Sequence, residues 1–164
     1  MTAPSRRAIA NSVATRLVSV AKATGYYGQI GRPLPGQALV SDGGTVPDDP
    51  QPKDPLNGDM RVKPYFILYP GAGSPSDELA VADTITDLVM PLPITAAAGD
   101  IEDLLALCDR ILGVFDTWRP AIDGVAFDRV RFPLGYVPGQ YLTDDQFKPA
   151  RLYIRLPLQL TATT

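Results

Sequence analysis

The chain has 164 residues, a formal net charge of −3 and no histidine. That length fits one ordinary domain, and a hydrophobic fraction of 45% supports a core and excludes general disorder. The acidic balance argues against a protein whose main task is gripping nucleic acid, which needs a Lys/Arg excess to displace counterions. Lack of histidine removes the commonest general base and the commonest transition-metal ligand.

Cys108 is the single cysteine, so an internal disulfide is impossible, and its place in an apolar helical pattern predicts a buried, inert thiol. The start, Met1-Thr2-Ala3-Pro4-Ser5-Arg6-Arg7, leads into a stretch broken by Asn11, Ser12, Thr15 and Arg16, without the apolar run of a signal peptide. No apolar run approaches the ~20 residues of a membrane-spanning helix. The expectation is a chain without a membrane partner that stays in the cytosol until assembly.

Residues 5–24 predict a helix: Ile9, Val13, Leu17 and Val20 recur at spacings of four and three, with Ser5 as N-cap and Gly25 as stop. Arg6 and Arg7 fall at the positive end of the helix dipole, where a partner's negative charge or solvent would compensate them. Residues 26–60 form a long Pro/Gly-rich loop insertion, with a short strand conceivable around residues 37–40 and a mobile acidic tip at residues 48–55.

Residues 61–69 predict a strand with apolar residues on both sides, as in a central position. Residues 85–97 predict a second, in which Leu88, Met90, Leu92, Ile94 and Ala96 share one face. Pro91 and Pro93 lack N–H groups along one side, which calls for an edge or a locally unpaired stretch. Residues 99–118 carry the clearest helix: Asp100 is an N-cap, Glu102 and Asp103 suit the first turn, and Ile101, Leu104, Leu105, Cys108, Ile111, Leu112 and Phe115 form the apolar stripe. Trp118-Arg119-Pro120 ends it.

Residues 125–134 predict a third strand, residues 135–149 a connection rich in Tyr, Pro and acids, and residues 151–161 an amphipathic fourth strand with Leu152, Ile154, Leu156, Leu158 and Leu160 inward. Pro157 hints at an edge. The order predicts a single α+β domain, a sheet of about four strands packed against two α-helices, with no internal repeat.

Little in this chain can carry chemistry. Gly71-Ala72-Gly73-Ser74-Pro75-Ser76-Asp77 follows a strand but lacks the lysine and spacing of a phosphate loop. Asp48-Asp49, Asp54, Asp59 and Asp144-Asp145 do not follow a calcium loop and read as solvated acids. Without histidine no Ser/His/Asp set exists, and nothing activates Cys108. No catalytic, cofactor or metal residue is assigned. Tyr26, Tyr27, Tyr136 and Tyr141 lie among prolines and glycines, where a large ring with a polar tip suits a protein interface or ordinary loop packing. With Arg32, Pro33 and Pro157 they are the candidate subunit-interface residues.

The segment Arg61-Val62-Lys63-Pro64-Tyr65-Phe66-Ile67-Leu68-Tyr69-Pro70-Gly71, with Gly73 and Pro75 behind it, joins Ala96-Ala97-Ala98-Gly99-Asp100, Cys108-Asp109-Arg110 and Trp118-Arg119-Pro120 in a recognisable order. This pattern resembles the tail terminator proteins of siphophages infecting actinobacteria, related in fold to the minor tail protein U type of lambda-like phages. It covers most of the chain outside residues 29–58. The resemblance implies a homo-oligomeric ring, typically a hexamer, seated on the last tail-tube ring at the head-proximal end of the virion tail. Its partners would be itself, the tail-tube protein and the head connector or stopper protein. Genomic DNA would pass through the lumen without specific binding, and no cofactor is implied.

Two other readings compete. A head–tail connector or stopper protein of the neck would have a similar size and no catalytic set. A small carboxylate-based enzyme would need two acids converging in a pocket, and a ligand-binding module a closed apolar cavity.

Overall fold

The computed structural model describes residues 5–30, 32–35, 37, 50–51, 61–71, 74–75, 87–137, 139–146 and 150–163. Most of the loop insertion, including residues 38–40 and all of the acidic tip but Pro50 and Gln51, lies outside the described residues, as do parts of the Gly71 to Asp77 stretch.

Helix α1 spans Arg6–Leu17. Ser5 caps it as expected, its hydroxyl accepting from the Ala8 N–H at 3.2 Å. The helix is shorter than its apolar spacing predicts. The N–H groups of Val18, Ser19 and Val20 bond three residues back rather than four, which tightens the last turn and ends the helix. Lys22 then takes a left-handed φ of 57°. The chain enters strand β1, Thr24–Tyr27, where helix and loop had been expected.

The remaining strands are β2 (Pro50–Gln51), β3 (Arg61–Val62), β4 (Tyr65–Leu68), β5 (Ser74–Pro75), β6 (Asp87–Ala98), β7 (Ala126–Phe127), β8 (Leu142–Asp144) and β9 (Arg151–Thr163). The main sheet runs β1-β4-β6-β9-β7, with β5 also on β6 and β8 also on β9. Only β1–β4 is parallel within it. β2 and β3 form a separate antiparallel pair. The fold is α+β, two helices on a mixed sheet. The expected strand at residues 125–134 contracts to β7 plus a bridge between Arg131 and Gln159.

Helix α2, Ile101–Phe115, starts where Asp100 accepts from the Asp103 N–H at 2.8 Å. Its buried stripe is Leu104, Leu107, Ile111 and Phe115. Leu104, Ile111 and Phe115 are buried as expected; Leu105, also expected inward, is exposed, and Cys108 and Leu112 are half-buried, because the sheet covers the Leu107 side of the stripe instead. Each fully buried Leu, Ile or Phe contributes about 1.5–3 kcal/mol of transfer free energy. The Arg16 guanidinium fastens the helices together: Nε donates to the Val114 carbonyl at 2.6 Å and the group lies 6.0 Å from the Trp118 ring centre.

The two helices cover one face of the sheet. Ile9, Val13 and Leu17 of α1 and the α2 stripe meet Phe66, Leu68, Leu92, Ile94, Leu156, Leu158 and Leu160 in the main core. Strand alternation sends the intervening residues to the other face, where a smaller cluster of Tyr26, Val62, Tyr65, Ile67 and Ala97 sits at one end. Gly99 makes the corner between β6 and α2 possible, since a Cβ there would stand 2.7 Å from the Val62 nitrogen.

β6 is central, not an edge, and Pro91 and Pro93 use the second solution, a local gap. Their carbonyls accept from the N–H groups of Gly71 and Tyr69, both at 2.9 Å. In an antiparallel strand a residue's N–H and C=O point the same way, so the missing donors face the stretch between β4 and β5. Pro157 obeys the same logic. Gln159 and Thr161 bond toward residues 128–131, so the absent N–H of Pro157 faces that flank beyond its last bridge.

Candidate functional site

The candidate interface residues divide between two flanks of the sheet. Tyr26 is fully buried in the small cluster, its ring 6.3 Å from that of Tyr65, edge to face. It belongs to this chain's own core, so the expectation that it projects from a loop does not hold. Its neighbour on β1, Tyr27, is half-buried with the Arg32 guanidinium 5.1 Å over its ring, and Pro33 bridges to Tyr26. These contacts fasten residues 32–34 beside β1, and Arg32 itself is exposed.

On the opposite flank, Tyr136 stacks on Phe132 at 4.9 Å and is half-buried, whereas Tyr141 is exposed. Pro157 is half-buried on β9. The residues that matter most here were missed. Leu134 is 92% exposed, Val137 81% and Leu142 56%. With Tyr141 they form a run of apolar side chains that the core does not use, on a segment joined to the sheet through β8 and β9. Single exposed apolar residues are ordinary, but here several fall in one short segment. The sequence signal was available: apolar residues in a Gly/Pro-rich connection with no period to place them in a core.

Two polar clusters hold the neighbouring structure. Arg61 forms an ion pair with Asp100 and stands 3.4 Å from Asp103, joining β3 to the first turn of α2. Arg151, the first residue of β9, is buried and donates from Nη1 to the Tyr65 hydroxyl at 3.4 Å. Burial pushes the Tyr65 hydroxyl above its ordinary value, against the lowering effect of that bond and the arginine charge. Cys108 is also pushed up, by burial first and the adjacent Asp109 second, which keeps it a thiol at neutral pH.

A cleft of about 680 Å³ opens between the end of α2 and residues 128–132. Its two acids, Asp116 and Asp128, are both exposed, and Asp128 lies 3.8 Å from Arg131. Among the described residues no group of three or more Cys, Asp or Glu side chains is placed to hold a metal ion, and no helix is long and apolar enough to cross a membrane.

The arrangement leaves an apolar run exposed at the β8 flank and sets an aromatic–arginine corner at the β1 flank. Set beside known proteins, the chain matches no family model, no curated protein and no solved structure.

Proposed function

We propose that this chain is a non-enzymatic subunit of a phage virion, forming the ring that terminates the tail tube and meets the head connector. The observation that carries the reading is the exposed run of Leu134, Val137, Tyr141 and Leu142. Such side chains gain about 25 cal/mol for each Å² of apolar surface that another protein removes from water. The order of motifs described above adds the resemblance to siphophage tail terminators. Work of this kind needs complementary surfaces, and no bond is made or broken.

Electron microscopy of the purified full-length chain tests the proposal. The expected result is rings of one fixed diameter, and tails assembled without the protein that vary in length. A preparation that stays monomeric at high concentration and is missing from mature particles would overturn it. Location separates the terminator from the stopper: the terminator caps headless tails, whereas a stopper stays with filled heads.

A further inference from the structure

The strand register draws one line across the sheet. Thr24 of β1 stands opposite Tyr65 of β4, Tyr65 opposite Ala97 of β6, Ala97 opposite Tyr153 of β9, and Tyr153 opposite Leu142 of β8. The two ends of this line carry opposite charge.

At the β1 end a cleft of about 540 Å³ is lined by Lys22, Thr24, Lys63, Pro64, Asp103 and Arg110, with Ala23 between the first two. Among its described lining residues the one acid is Asp103, which stands 3.4 Å from Arg61. Nε of Arg110 is buried and has no hydrogen-bond partner among the described residues. Lys22 is held in the left-handed region, costly for a residue with a Cβ, and this fixes it on the rim. Lys22, Lys63 and Arg110 thus line a concavity whose described acid, Asp103, is paired with Arg61.

At the β8 end, Asp144 and Asp145 project with Thr143, Gln146 and Tyr153 around a shallow hollow. Asp144 Oδ1 accepts from the Gln146 N–H at 3.1 Å, which fixes the turn. Asp144 stands opposite the buried Arg151 in register, so Asp145 is the acid turned furthest into solvent. The exposed Tyr141 and Leu142 adjoin this tip.

Four strand spacings, about 19 Å, separate the two ends. A rigid sheet cannot fold its own acidic tip into its own cationic cleft. Complementary surfaces on opposite flanks of one subunit make a heterologous contact, which closes into a ring or runs on as a filament. We infer that the cleft formed by Lys22, Lys63 and Arg110 receives the Asp144–Asp145 tip of a second copy of this chain, head to tail. Charge sets the orientation, and Tyr141 and Leu142 supply the apolar burial beside it. The inference rests on the self-association in the proposed function and gives that contact its residues.

Charge reversal tests it, with sedimentation velocity across a concentration series and electron microscopy of the full-length chain. One variant carries K22E and R110E, the other D144K and D145K. Each alone should raise the concentration for half-assembly at least tenfold, and raising salt should weaken wild-type assembly. Mixing the two variants should restore association, because each cleft then meets a tip of opposite sign, and all four changes in one chain should do the same. Circular dichroism checks folding, and the neutral set K22Q, R110Q, D144N and D145N gives the same readout if a reversal unfolds the chain. If wild type and both variants assemble alike, this contact is wrong while self-association stands. If wild type never leaves the monomer, the proposed function fails and this contact with it.

Discussion

Along β6 the two faces of the sheet diverge residue by residue. Leu88, Met90, Leu92, Ile94, Ala96 and Ala98 point at the helices and are all buried. Of the residues between them, only Ala97 is buried, Val89, Pro93 and Thr95 are half-buried, and Pro91 is exposed. The helix-covered face is closed by α1 and α2, and it carries most of the apolar burial. The other face has a small cluster at one end and then prolines, which hold the backbone extended without offering donors. One face thus supplies stability, and the rest of the surface can be spent on contacts with other chains.

The sharpest way to break this comparison is a matched pair of truncations. Ile111→Ala, under the helices, is expected to cost about 3–5 kcal/mol in urea unfolding, and Ile67→Ala, in the small cluster, nearer 2 kcal/mol. Equal losses would mean that the two faces share the load. Next in size, Gly99→Ala should cost about 1–3 kcal/mol, because the new methyl meets the Val62 backbone rather than a side chain that could swing away. Its loss should appear with a weakened Arg61–Asp100 pair, visible as a smaller effect of Asp100→Asn in the Gly99→Ala background.

Alkaline titration compares the faces from another side. Raised folded-state values favour the protonated forms, so their stabilisation is complete at neutral pH and is lost as pH climbs. For Cys108, half-buried against the main core, the loss begins near its ordinary value of 9.0, and for Tyr65, in the small cluster, near 10.0. In each case it ends at the raised folded value. Cys108→Ala should remove the earlier part of the decline and Tyr65→Phe the later part, both read as unfolding free energy against pH. The smallest effect on stability belongs to Leu134→Ser with Val137→Ser: within about 0.5 kcal/mol, since neither side chain is packed, yet with self-association reduced several-fold in sedimentation.

The elements that were legible in the sequence are those whose side chains repeat. β9 alternates over its length, and α2 shows an N-cap, acids in the first turn and apolar spacing. Even there the match is partial: Leu104, Ile111 and Phe115 are buried as their spacing predicts, but the sheet covers Leu107 beside them and leaves Leu105 exposed. β1 was illegible because Thr-Gly-Tyr-Tyr has no period and is held by a parallel partner distant in sequence, beside a glycine that lets Phe66 and Leu34 approach within about 2.6 Å of where a Cβ would stand. β8 was hidden in the same way: three residues long, none of them buried, and paired only with β9. The prolines of β6 announced missing donors but not where the gap would fall, which depends on how far β4 and β5 extend along it.

The candidate surfaces were half legible. Tyr141 was read from composition, but Tyr26 was misread by the same argument, because a tyrosine among glycines can as well be a strand residue folded inward. The cationic cleft draws on the turn after α1, the start of β4 and the middle of α2, and no local pattern joins Lys22, Lys63 and Arg110.

The row of paired residues from Thr24 to Leu142 has one more consequence if neighbouring copies meet at its two ends. The subunit then serves as a gauge block, whose breadth is set by backbone hydrogen bonds between strands and, at the cleft, by the packing that seats α2 and its Arg110 on the sheet. The bore of the assembly would be insensitive to changes in loops away from the two contacts, and it would change if a strand were gained or lost.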